Sequence, residues 1–120
     1  MPERIQLRRT RGWRKPPGAV VVARPSRWGN PFPVGPFTRE EAVRLYRALV
    51  VEGEATWHDE AGPHRRQRGD VTPPAPTPAE VRAALAGRDL ACWCPLVDPE
   101  GRPVPCHAEI LLELANRIDT

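Results

Sequence analysis

Ala19-Val20-Val21-Val22-Ala23, followed at once by Arg24-Pro25-Ser26-Arg27-Trp28-Gly29-Asn30-Pro31-Phe32, is the stretch that decides the fold class. An unbroken run of small and β-branched apolar residues describes a short strand buried on both faces, because alternation is needed only where one face meets water. Pro25, Gly29 and Pro31 then forbid regular structure, so residues 24–32 form a loop leaving the end of a buried strand. Working outward, Ile5 and Leu7 alternate with polar neighbours and predict a half-buried strand over 4–8. Asp89-Leu90-Ala91-Cys92-Trp93-Cys94 predicts a second buried strand.

Helices are expected between and after these strands. Thr38-Arg39-Glu40-Glu41 has the form of a capping box, and Ala42, Leu45, Tyr46 and Leu49 mark one face of a helix ending near Glu52 and Gly53. Thr77-Pro78-Ala79-Glu80 repeats the capping logic, with Gly87 as a stop, and predicts a short helix over 78–86. A closing helix runs from Ala108 to Ile118, with Ile110, Leu111, Leu114, Ala115 and Ile118 as its apolar stripe. Residues 53–76 show no sustained period and several breakers, and are expected to be a flexible insertion or long surface loop. Strands alternating with helices in 120 residues predict one α/β domain over 1–120, a small sandwich with a mostly parallel sheet and flanking helices. Ligands of such sheets bind beyond the carboxyl ends of the strands. The segments 24–30 and 92–107 are therefore expected to meet at one edge.

Composition narrows the class further. There is no run of 18 apolar residues to span a membrane, and the basic N-terminus lacks the apolar stretch of a secretory signal. Three cysteines are an odd number and too clustered for a disulfide framework, which points to the cytoplasm. The net charge is +3, but residues 1–27 set eight arginines and lysines against Glu3, a local +7 that leaves −4 for the rest. That asymmetry describes either a solvated basic edge or a surface for phosphate groups. Residues 4–15, with Trp13 among the cations, would be the segment contacting nucleic acid.

Two clusters carry the candidate chemistry. Arg24, Ser26, Arg27, Trp28 and Asn30 supply guanidiniums, a hydroxyl, an indole and an amide on one loop, a set able to hold a phosphate and stack a base. The competing reading makes Trp28 and Phe32 plugs of the sheet edge. Cys92, Cys94, Cys106 and His107 form the second cluster. Three readings compete there. Zinc would find Cys3His ligation, in a spacing unlike the usual knuckles. A catalytic pair would use Cys106 as nucleophile and His107 as base, because a helix N-terminus favours a thiolate. The plainest reading makes the cysteines small buried residues and His107 a cap. A Cys92–Cys94 disulfide is discounted, since strand residues two apart lie about 7 Å from each other.

These motifs also carry a resemblance. Arg-Pro-Ser-Arg-Trp-Gly-Asn-Pro-Phe after an apolar strand, Thr-Arg-Glu-Glu opening a helix, Gly-Arg-Asp-Leu-Ala-Cys-Trp-Cys-Pro and Cys-His-Ala-Glu-Ile-Leu-Leu-Glu-Leu resemble the bacterial and phage family of domain of unknown function 4326. The resemblance covers most of the chain; residues 53–76 and 95–105 look long for the family. It implies a shared small α/β domain and marks Arg24, Trp28, Asn30, Cys92, Cys94, Cys106 and His107 as motif positions, with no established activity. A strand ending in Cys before a Cys-His helix start is distantly similar to domain of unknown function 488. The leading expectation is a site for a small anionic ligand, a nucleotide or nucleobase derivative, needing no cofactor, with Cys106 and His107 as its enzymatic pair. The alternative is a non-enzymatic nucleic-acid-binding module stabilised by zinc on Cys92, Cys94, Cys106 and His107.

Overall fold

Thr38 and Thr77 each open a helix as their sequences require. In the computed structural model, which describes residues 2–116, both hydroxyls accept from the third helical N–H, and Glu41 and Glu80 each accept from the N–H of their own cap residue. The helices are α1 (Arg39–Glu52), α2 (Pro78–Leu85) and α3 (His107–Asn116). Gly53 ends α1 at φ +81°, the left-handed conformation glycine adopts without a Cβ penalty. Ile118, expected in the last stripe, lies outside the described residues.

The strands are β1 (Arg4–Gln6), β2 (Val20–Val21), β3 (Glu54–Asp59), β4 (Gly62–Gln67) and β5 (Leu90–Cys92). The first sheet has the order β1-β5-β2, and both pairings are parallel. Hydrogen bonds from Leu7 N–H to the Cys92 carbonyl (2.7 Å) and from Val22 N–H to the Ala91 carbonyl (2.8 Å) carry the ladder past the formal strand ends. The expected α/β class with a parallel sheet is therefore what the chain adopts, joined by a separate antiparallel pair.

Two expectations are corrected. The apolar run 19–23 is not a strand buried on both faces: only Val20 and Val21 pair, on a flank of the sheet, and Val21 is exposed while Val22 is fully buried. The central position belongs to β5, all of whose residues are buried. Residues 53–76 are not without regular structure, because β3 and β4 pair antiparallel from Glu54↔Gln67 to Asp59↔Gly62. Trp57 anchors this hairpin edge-to-face against Phe32 and Phe37, with ring centroids 5.6 Å away in each case.

Helix α1 divides the interior. Its Tyr46 and Val50 join a core with Val22, Leu85, Leu90 and Leu111, whereas Ala42, Leu45 and Leu49 join Phe32, Ala55 and Ala75 in a second cluster under the hairpin. The loop 24–32 runs between the two. No described helix is long and apolar enough to cross a membrane.

Candidate functional site

Because β1, β2 and β5 are parallel, Leu7, Val22 and Cys92 all deliver the chain to the same edge of the sheet. There the loop after β2 and the segment from β5 to α3 line one cavity of about 480 Å3. Arg24, Asn30, Arg39, Trp93, Cys94 and His107 contribute its polar and aromatic wall, and Cys92 and Cys106 lie among its buried lining.

The loop residues divide sharply. Arg24 is exposed and makes no hydrogen bond or ion pair among the described residues. Asn30 holds the loop in place: its amide donates to the Ala42 carbonyl at 3.0 Å and accepts from Phe32 N–H at 2.9 Å. Ser26, Arg27 and Trp28, expected to touch ligand, do not line this cavity. Trp28 turns inward to 8% exposure, and Tyr46 Oη donates to its carbonyl at 2.7 Å. Arg27 lies over the Trp28 ring and pairs with Glu80 at the surface. The Ser26 hydroxyl is buried without a partner among the described residues. The edge-plug reading therefore describes Trp28, which packs in the core because an indole there covers more apolar surface than a small loop could otherwise bury.

Arg39 and Trp93 take the places that the loop residues leave. Arg39 is the first residue of α1, and its Nη1 donates to Cys94 Sγ at 3.4 Å. Trp93 is 47% exposed, with the Arg9 guanidinium 4.9 Å from its ring centroid. Both could have been found: Arg39 opens a helix soon after the strand-end loop, and Trp93 alternates outward from the inward Cys92.

The three sulfurs of Cys92, Cys94 and Cys106 lie within 4.8 Å of one another, and all three cysteines are free. The strand-based spacing of about 7 Å does not apply, because β5 ends at Cys92 and the chain bends before Cys94. Cys92 and Cys106 sulfurs are 3.0 Å apart. Hydrogen bonds from Cys106 and Cys92, then the Arg39 charge, hold the Cys94 thiol far below its ordinary range. Its hydrogen bonds to Cys106 and Cys94, together with burial, push Cys92 far above it.

Cys106 lies deeper than its place just before a helix start suggests. Its bond with Cys92 pulls its pKa down, and the helix N-terminus adds a smaller pull the same way through Ala108 N–H at 3.5 Å. Cys94 and burial outweigh both, so Cys106 ends above its ordinary range at 1% exposure. His107 is 7% exposed, and its Nε2 bonds to the Val22 carbonyl at 2.7 Å. A carbonyl only accepts, so Nε2 carries the proton and Nδ1, 3.7 Å from Cys106 Sγ, carries the lone pair. Burial, reinforced by Arg24 and Arg4, lowers the pKa of His107 and keeps the ring neutral.

The basic segment is only partly a surface patch. Arg8, Arg9, Arg11, Arg14 and Lys15 are exposed, but the Arg4 side chain is 8% exposed, donating to the Leu96 carbonyl and pairing with Glu109. A family model described as "Domain of unknown function (DUF4326)" matches residues 5–117. No curated protein and no solved structure matches the chain.

Proposed function

The chain belongs to the family described as domain of unknown function (DUF4326), and since that membership assigns no activity, we propose from the site itself that the cavity binds a small anionic molecule, a nucleotide or nucleobase derivative. The observation that carries this reading is the meeting of Arg24, Arg39 and Trp93 around one cavity at the carboxyl edge of the parallel strands. Its volume falls within the range of roughly 300–1,000 Å3 typical of small-molecule sites. Arg24 offers an unpaired guanidinium whose fork matches phosphate oxygens, and Arg39 adds a second cation. The exposed Trp93 ring supplies a face on which a base stacks.

Cys106 and His107 act in this reading as the floor of the site rather than as nucleophile and base. A thiol at 1% exposure presents almost no surface to an electrophile, and His107 spends its proton on the Val22 carbonyl. Calorimetric titration of the full chain with nucleoside mono- and diphosphates, the bare nucleosides and inorganic phosphate tests the proposal. Phosphorylated ligands should bind more tightly than the nucleosides. Arg24→Ala should weaken them by about 10- to 100-fold, the value of one or two charge-assisted contacts. Equal binding by the wild type and Arg24→Ala, or no binding of any phosphate, would overturn the reading.

A further inference from the structure

The sulfur cluster has a role that an anion pocket does not require. We propose that Cys92, Cys94, Cys106 and the Nδ1 atom of His107 bind one zinc-class divalent ion in a closed tetrahedral site. Zinc–sulfur and zinc–nitrogen bonds of about 2.3 and 2.05 Å give tetrahedral edges of about 3.8 Å between sulfurs and about 3.6 Å between sulfur and nitrogen. The three sulfurs all lie within 4.8 Å of one another. His107 Nδ1 is 3.7 Å from Cys106 Sγ but stands outside that mutually close set, so the imidazole must move toward the other two sulfurs to complete the tetrahedron. The 3.0 Å contact between Cys92 and Cys106 sulfurs opens by less than an ångström to reach that edge.

Three further features fit the donor set. A ligating imidazole usually donates its other N–H to a backbone carbonyl, which fixes the ring and leaves the ligating nitrogen bare; His107 does this with Val22 at 2.7 Å. Three thiolates, a neutral imidazole and a divalent ion sum to a charge of −1. The Arg39 guanidinium, 3.4 Å from Cys94 Sγ, stands where that charge would be offset. Ala108 N–H, directed at Cys106 Sγ at 3.5 Å, supplies the backbone donor that a ligating sulfur accepts. Any proton remaining on a thiol leaves for solvent as its sulfur–metal bond forms, and no electrons move. Cys94, half-buried beside the cavity, gives the ion its way in.

Such an ion would tie the end of β5 to the start of α3, and so fix the cavity floor. The inference does not depend on what the cavity binds, and metal content and nucleotide binding fail separately. The full chain, purified under a phosphine reductant and reconstituted with zinc, should retain one zinc per chain. Its three thiols should resist a disulfide reagent until a chelator is added, a readout that needs no variant. Cobalt substitution should give sulfur-to-metal charge-transfer bands and the visible spectrum of a tetrahedral ion. Cys94→Ser and His107→Gln should each weaken zinc by more than about 100-fold, beyond the effect of losing an outer-shell partner. A reconstituted chain without metal, whose thiols react freely, would overturn the proposal. So would an intact mass lower by two hydrogens that reduction restores, since that is a Cys92–Cys106 disulfide.

Discussion

Tyr46→Phe removes one oxygen and leaves every ring contact in place, so it isolates the bond that holds the cavity loop to α1. Tyr46 is fully buried, and its hydroxyl donates to the Trp28 carbonyl at 2.7 Å. Burial pushes the phenol pKa well above its ordinary range, so the group is a neutral donor throughout the working pH range. Without it the Trp28 carbonyl is left in the interior without that donor, which costs about 1–3 kcal/mol. An unfolding entropy of roughly 2.1 cal/mol/K per residue gives about 0.25 kcal/mol/K for a chain of this length, so the melting temperature should fall by about 4–12 °C. Thermal and urea unfolding followed by circular dichroism measure this directly, and the urea slope should not change, because no surface is gained or lost. The ring should continue to pack edge-on against His107, 5.2 Å away, so zinc content should not change either. A melting temperature within 1 °C of wild type would refute the claim that this hydroxyl pins the loop.

Gly29→Ala should destabilise the chain at least as much, because a Cβ there would stand 2.9 Å from the Arg24 Cα and backbone nitrogen. Ligand binding should fall with it, as Arg24 is what moves. Trp57→Ala should cost about 1–3 kcal/mol through its two edge-to-face pairs, measured by urea unfolding, and should make trypsin cleave first at Arg65 or Arg66; an unchanged midpoint would mean that the hairpin is not anchored to the core. Replacing Arg8, Arg11 and Arg14 by Ala together, with Arg9 kept because it packs on Trp93, should sharply weaken low-salt retention on immobilised DNA or RNA while leaving nucleotide binding intact, with wild-type retention falling steeply as salt rises. Retention that ignores salt would place the contact elsewhere.

How far the sequence could be read depended on whether a local rule controlled each element. Thr38 and Thr77 specify their helices through atoms three residues away, so both were legible. So were the parallel strands and the shared edge, because strand–helix alternation leaves few arrangements. The hairpin was hidden because its inward positions on β4 are Gly62, His64 and Arg66, and the last two pack on aromatic rings where apolar side chains would usually stand. His64 stacks on Trp57 at 5.2 Å, and Arg66 lies 5.7 Å from the Trp57 and Phe32 centroids. No apolar alternation could show.

In the site, residue type was a better guide than residue position. Arginine, tryptophan and the Cys/His set do line one cavity, but Trp28 went to the core and Trp93 to the rim, a choice made by long-range packing with Tyr46 and Val22. The cysteine geometry was misjudged because it hung on where β5 ends. Two residues more of strand, through Cys94, would have kept the Cys92 and Cys94 sulfurs apart.

The indole N–H signals of Trp13, Trp28, Trp57 and Trp93, followed by heteronuclear NMR during titration with a nucleoside diphosphate, test the shared cavity most directly. Trp93 lines the cavity, whereas Trp57 belongs to β3 of the hairpin and does not, so the account predicts a saturable shift of the Trp93 signal that Arg24→Ala suppresses, with the Trp57 signal unmoved. A Trp93 signal that stays fixed while Trp13 or Trp57 shifts would contradict it.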